Sequence, residues 1–249
     1  MITLSKLNYS IGRKQILRDV NLNIQAGETV SIMGVSGSGK TTLLRLMSGL
    51  ARPASGQIII DKTDIAKLTE NELNRIRHRF GVVFQYGALF DSLSVYDNIS
   101  FALQRHTRLS KQEISQIVAE KLSMVGMAGT ENLMPSELSG GMQKRVGMAR
   151  AIAMSPDVLY YDEPTSGLDP IMTTVIDELV NGMRDSLGVT SVVVSHDLKS
   201  IFRISDRVAM LHDGTIIAYG TPDEIRGSSD PRVQQFILGN AEGPIRQNV

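Results

Sequence analysis

The chain has no cysteine among its 249 residues. That removes disulfides, zinc–thiolate centres and thiol nucleophiles from consideration. It has no excess of charge of either sign, since 26 lysines and arginines stand against 26 aspartates and glutamates. A balanced chain is poorly suited to broad electrostatic adhesion to nucleic acid, so no nucleic-acid partner is expected. No apolar run approaches the roughly 20 residues that span a bilayer. Met1-Ile2-Thr3-Leu4-Ser5-Lys6 shows no secretory pattern. Work at a membrane would need something else to hold the protein there. The length permits one large domain or two modest ones, either with a real core.

What the chain does carry is concentrated in short segments. Gly34-Val35-Ser36-Gly37-Ser38-Gly39-Lys40-Thr41 is a full match to the phosphate-binding P-loop pattern. It follows the apolar run Thr29–Met33 and precedes Leu43-Leu44-Arg45-Leu46-Met47. That is strand, loop and helix, the context the motif requires. Glycines let backbone N–H groups turn in around phosphates, and the helix aims its positive end at the same anion. Lys40 offers a point charge to the outer phosphates, and Thr41 a hydroxyl to Mg2+. A glycine- and serine-rich turn with a chance lysine would leave both flanks unexplained.

Strand-like alternation marks Ile2, Leu4, Leu7 and Tyr9, then Ile16, Val20, Leu22 and Ile24. Short strands are predicted over 57–61 and 81–85. From Val95 to about Met127 the chain reads as helical, with Ile114, Ile117, Val118, Lys121, Leu122 and Val125 on an amphipathic face. Residues 86–139 are expected to form a helical subdomain inserted into a mixed sheet domain. Beyond Ser139 strands and helices alternate. The pattern predicts a helix to Met154, a buried strand over 158–161, a helix over 172–187 closed by Gly188, and a buried strand over 191–194. A hairpin turned at Asp213-Gly214 and a late helix opened by Asp230-Pro231 follow. Strands separated by helices argue for a largely parallel sheet covered on both faces. Residues 239–249 read as a polar, loosely ordered tail.

Two further segments carry chemistry. The strand over 158–161 ends in Asp162-Glu163, and the ends of parallel strands are where ligands bind. Beside a P-loop, Asp162 would bind Mg2+ directly or through its waters, and Glu163 would orient or deprotonate an attacking water. Leu138-Ser139-Gly140-Gly141-Met142-Gln143 is the second. Ser139 can cap a helix whose first turn holds two glycines, which are poor helix formers. They make sense where a ligand must approach bare N–H groups. One nucleotide does not need two anion-binding helix starts from distant parts of one chain.

In these residues and their order, the sequence resembles the ATP-binding-cassette (ABC) ATPases over almost its entire length. The resemblance implies an α/β P-loop NTPase fold with a mixed, largely parallel sheet. The core would lie in 1–85 and 140–225, the inserted helical subdomain in 86–139, and the whole domain in 1–238. Leu138-Ser139-Gly140-Gly141 matches the family signature, which in a head-to-tail homodimer faces the partner's P-loop across ATP. Tyr9 resembles the aromatic that stacks on adenine, and Gln85 the Q-loop contact to Mg2+ and water. Ser166-Gly167-Leu168-Asp169 resembles the D-loop, with Gly167 where alanine is usual, and His196 resembles the switch histidine at the γ-phosphate. Val35, Thr41 and Met142 are mild departures that preserve the chemistry. The implied nucleotide-binding set is Tyr9, Gly34, Val35, Ser36, Gly37, Ser38, Gly39, Lys40, Thr41, Thr42, Ser139, Gly140 and Gly141. The implied catalytic set is Glu163, His196, Lys40 and Gln85, with Thr41, Gln85 and Asp162 serving Mg2+.

Within that family, Gln85-Tyr86-Gly87-Ala88-Leu89-Phe90, Leu133-Met134-Pro135-Ser136-Glu137 and Asp230-Pro231-Arg232-Val233-Gln234-Gln235-Phe236 are similar to the ATPases of Mla-type phospholipid transporters. This implies a peripheral subunit at the cytoplasmic face of the Gram-negative inner membrane. Its partners would be an integral-membrane permease, an MCE-domain protein and a STAS-domain protein, and the tail could reach the neighbouring cassette. The competing expectation is an ATP-gated regulatory cassette without transport, of the kind that acts in cell division. A kinase or other P-loop enzyme would leave Leu138–Gly141 without a purpose.

Overall fold

The opening alternation becomes two long paired strands, β1 (Ile2–Ile11) and β2 (Lys14–Ile24). The computed structural model describes residues 2–246. The three-residue step from Leu4 to Leu7, irregular for a strand of period two, is absorbed by a bulge. The β1–β2 register shifts there, and Lys6 adopts φ 47°. A second kink falls at Asp19, φ 44°, on the paired strand. Asparagine side chains satisfy the groups the ladder drops. Lys6 N donates to Asn21 Oδ1 at 2.9 Å, and Asp19 N donates to Asn8 Oδ1 at 3.1 Å. Leu4 and Leu7 are thereby both buried.

β3 (Thr29–Met33), buried throughout, feeds the P-loop and α1 (Lys40–Met47). β4 (Ser55–Ile60) and β5 (Thr63–Asp64) complete an antiparallel sheet of order β2-β1-β4-β5. Gly56 sits at φ 92°, and a Cβ there would overlap the Lys6 carbonyl of the bulge, so the position takes glycine. α2 (Glu70–Arg77) follows.

The chain divides into two units, Met1–Leu73 with Val192–Val249, and Asn74–Ser191. These boundaries differ from a split at 85 and 139, because the second unit groups strands and helices with the helical insert. It contains β6 (Phe80–Val83) and β7 (Val158–Asp162), which pair in parallel. Its helices include α3 (Val95–His106), α4 (Lys111–Met124), α5 (Gly140–Ile152) and α6 (Pro170–Leu187). The stretch expected as continuous helix from Val95 is two helices. Thr107 Oγ1 bonds back to Leu103 O at 2.7 Å as α3 ends. Ser110 and Glu113 then form a capping box that starts α4. α5 lies tightly over β6, since a Cβ on Gly81 would overlap the Ala151 carbonyl. Phe80 and Tyr160 meet edge to face at 5.6 Å. Burial pushes the Tyr160 and Tyr161 phenols up from their usual pKa.

β8 (Thr190–Val194) straddles the division. In the first unit, α7 (Leu198–Ile204) and the hairpin β9 (Arg207–His212) and β10 (Thr215–Gly220) follow. β3 pairs in parallel with β9, and β9 antiparallel with β10, so this sheet is mixed as expected. α8 (Pro222–Arg226) and α9 (Pro231–Leu238) close the chain, α9 capped by Asp230 as the Asp-Pro step predicts.

The expectation of a loosely ordered tail is corrected for residues 240–246, whereas 247–249 lie outside the described residues. Gln235 of α9 accepts from Ile245 N at 2.7 Å and donates to Ile245 O at 3.1 Å. The side-chain amide acts as a short stand-in for a paired strand. Ile245 is 6% exposed and joins a core cluster with Met33, Val208 and Val233. Gln235→Leu leaves both backbone groups of Ile245 unpaired, which should cost about 1–3 kcal/mol. A lower melting temperature and faster amide exchange at Ile245 would check it.

Candidate functional site

In the first unit the P-loop is held from three sides. A Cβ on Gly34 would overlap the Leu211 carbonyl of β9, so only glycine fits, at φ 150°. A Cβ on Gly39 would lie 2.9 Å from Leu17 Cδ2, so β2 packs against the far end of the loop. Leu17 is the register partner of Tyr9, which places that half-buried aromatic on the strand beside the one that backs Gly39. At the third side, Ser195 N donates to Ile32 O at 3.3 Å. This fastens the end of β8, where exposed His196 follows, to the strand that enters the loop.

α1 starts at Gly39 in the left-handed conformation, φ 106°, with no side-chain cap. The first N–H groups of a helix have no intrahelical partner, and a glycine N-cap has no side chain to offer them. An anion suits that position. The Ser38 hydroxyl is buried and makes no hydrogen bond among the described residues. Lys40 Nζ donates to Gly34 O at 2.8 Å and Val35 O at 3.0 Å, so its charge sits inside the loop. Thr41 and Thr42 follow in the first turn, half-buried, and Ser36 and Gly37 form the exposed rim. An uncapped helix start, an orphaned hydroxyl and an enclosed ammonium together fit a polyphosphate.

In the second unit, Asp162 ends β7 and Glu163 follows with φ 51°, a left-handed conformation that is rare for a non-glycine. The following residues form successive turns, with Ser166 N donating to Glu163 O and Leu168 N to Thr165 O, both at 3.2 Å. Asp169 ends them as the N-cap of α6, accepting from Ile171 N and Met172 N. Gln85, just beyond β6, donates from Nε2 to Ser166 Oγ at 3.2 Å. The sequence therefore places Gln85 and Glu163 correctly at strand ends, and the fold joins their loops.

Ser139 is the N-cap of α5 as predicted, its hydroxyl accepting from Met142 N at 3.3 Å. The two glycines that follow differ. A Cβ on Gly141 would lie 2.9 Å from Met172 Cε, so α6 accounts for that one. A Cβ on Gly140 would meet nothing within 4 Å. Packing within the chain does not require glycine there, and a glycine costs a helix about 0.8–1.0 kcal/mol relative to alanine. Close approach of a ligand or second molecule to this exposed helix start would account for it.

Lys144 and Arg150 were not singled out from sequence. Lys144 is 5% exposed, and Nζ donates to Pro164 O at 2.8 Å and Ser166 O at 2.7 Å. Burial pulls its pKa below the usual lysine value, and the nearby Glu163 charge opposes that shift. Arg150 donates to Gly87 O and Ala88 O at 2.8 and 2.7 Å. The available signal was the spacing of α5, which puts Lys144 on the face of Gly141, Gly147 and Met148, where a solvated cation would be out of place.

Thr41, Gln85 and Asp162 offer only hard oxygen donors, which suit Mg2+ rather than a soft metal. The family model for ABC transporters matches residues 17–166. The intermembrane phospholipid transport system ATP-binding protein MlaF of Haemophilus influenzae is 44% identical over 246 residues, 99% of this chain and 93% of that protein. The Escherichia coli protein of the same name is 40% identical over 245 residues, 98% of this chain and 91% of that one. Among solved structures, the dimeric post-hydrolysis state of the ATP-binding cassette MJ0796 bound to ADP and Pi matches with a TM-score of 0.82. It is 35% identical, and the match covers 89% of this chain and 99% of that one.

Proposed function

Since this chain belongs to the ABC transporter family, we propose that it is an ATP-hydrolysing subunit that powers phospholipid transport through a membrane-embedded partner. The observation that carries the hydrolase half is the uncapped, glycine-lined start of α1 with Lys40 and the orphaned Ser38 hydroxyl beside it. The names of the relatives carry the phospholipid half.

The chain's residues divide the work. The N–H groups at the start of α1 and the Ser38 hydroxyl bind the phosphates. Lys40 turns from the Gly34 and Val35 carbonyls to the outer phosphate oxygens, exchanging dipoles for full negative charge. Tyr9 offers a ring face to the base. Thr41, Asp162 and Gln85 would hold Mg2+ directly or through water, and the ion would neutralise charge on the β- and γ-phosphates. Glu163 orients or deprotonates the attacking water, and His196 contacts the γ-phosphate. Ser139, Gly140 and Gly141 serve the nucleotide of a second copy. ATP closes the dimer only to the extent that it binds the closed form more tightly than the open one.

No helix among the described residues is long and apolar enough to cross a membrane. The proposed assembly gives attachment to the cytoplasmic face of the inner membrane to the permease. A groove of about 660 Å³ in the second unit, with Phe84, Ala88, Phe90, Phe101, His106 and Arg150 along it, is the surface proposed to receive it. Phe84 and Phe90 are 40% and 47% exposed, and apolar exposure of that kind suits a partner. An MCE-domain protein and a STAS-domain protein complete the proposed assembly.

The test is mass spectrometry of proteins retained by the tagged chain from detergent-extracted membranes, with phosphate release measured on the same complex. Mg2+-dependent release from ATP, with a permease and an MCE-domain protein retained, is expected. No release would overturn the hydrolase reading, and a partner without a transport pathway would overturn the transport reading.

A further inference from the structure

We propose that Lys144 is a positioning residue for hydrolysis, tying the loop that carries Glu163 to the helix that begins at Ser139. The inference rests on the ATPase reading and extends it to a residue outside the nucleotide-binding set. Lys144 lies on α5, five residues after Ser139, with its ammonium almost wholly buried. Its two bonds go to Pro164 O and Ser166 O, carbonyls one and three residues beyond Glu163. A third fastening comes from Gln85, whose Nε2 donates to Ser166 Oγ. The loop from Glu163 to Ser166 is thus held from α5 by a cation and from the end of β6 by an amide.

That loop needs holding. Glu163 sits at φ 51°, a conformation that a non-glycine keeps only when its surroundings over-determine it. A buried ammonium is a costly group to place for packing alone, and an apolar side chain of similar length would fill the space without a desolvation penalty. The ammonium does what an apolar chain cannot. It binds two backbone carbonyls of one turn at once and places a positive charge near the Glu163 carboxylate. The same helix also grips the loop beyond Gln85, because Arg150 donates to Gly87 O and Ala88 O. α5 is therefore a bar with a clamp on the catalytic loop and another on the loop that borders the groove. Movement of the helix start at Ser139 reaches Glu163 through Lys144.

The experiment compares wild type, Lys144→Met and Lys144→Arg as full-length chains in the detergent-extracted complex, measuring kcat, KM for ATP and melting temperature. Lys144→Met is expected to lower kcat about 10- to 100-fold, the range that small misplacements of catalytic groups cause. KM should change less than about threefold and the melting temperature by only a few degrees, because the phosphate-binding residues are untouched. Lys144→Arg, which keeps the charge and the N–H donors, should recover a substantial part of kcat. Should Lys144→Met fail to fold, Lys144→Gln takes its place under the same criteria. Unchanged kcat in a folded neutral variant, or a loss confined to KM, overturns the proposal. A folded Lys144→Arg that performs no better than the neutral variant also overturns it. A wild-type complex that releases no phosphate would instead defeat the ATPase reading itself.

Discussion

Glu163→Gln is expected to bind ATP as the parent does and to turn it over about 10²–10⁴ times more slowly, the usual contribution of a positioned general base. Glutamine has the shape of glutamate, so the turn after β7, with Ser166 N bonded to residue 163 O, has no reason to rearrange. What disappears is the negative charge and the ability to take a proton. ATP would therefore load and close the dimer without the step that reopens it. Equilibrium binding, single-turnover phosphate release and size-exclusion chromatography with ATP measure the three parts separately. Parental turnover in this variant would remove Glu163 from its role.

Ser139→Arg tests the shared site. Ser139 and Gly140 are exposed at the start of α5, and the serine hydroxyl caps Met142 N. Losing a cap costs about 0.5–2 kcal/mol, which a domain of this size tolerates. In the proposed dimer, however, a guanidinium there projects into the nucleotide held by the other copy's P-loop. Phosphate release should fall about 100-fold or more, the scale reached when charge-stabilising donors are lost. ATP binding to the isolated chain should stay as it was, because the P-loop residues lie elsewhere in the sequence. Mixing Ser139→Arg with Lys40→Ala should restore part of the activity. One composite site then joins an intact P-loop from the first variant to an intact Ser139–Gly141 from the second. Activity that is unchanged in Ser139→Arg, or that persists in a strictly monomeric chain, would reject the shared site.

Legibility in the sequence followed the range of the interactions involved. The P-loop, the Ser139 cap, the Asp169 and Asp230 caps and the Gly188 terminus all depend on groups within a few residues of one another. Residue order displays such groups directly. The same holds for the Ser110–Glu113 capping box, which was present to be read and would have divided the long helical stretch before Met127. The irregular step from Leu4 to Leu7 was visible too, but its meaning was not. Only pairing with β2 and β4 turns an extra residue into a bulge, with Asn8 and Asn21 placed to satisfy it.

The sequence by itself displayed a polyphosphate-binding pattern at Gly34–Thr42, the order of most strands and helices, and Asp162 and Glu163 at a strand terminus. Only the tertiary structure decided that Ile245 is anchored by Gln235, that Gln85 meets Ser166, and that the buried Lys144 holds the turn after Glu163. The physical reason is separation. These partners stand 10, 81 and 22 residues apart along the chain, and composition and periodicity carry no record of which distant backbone carbonyl a buried amine or amide will meet.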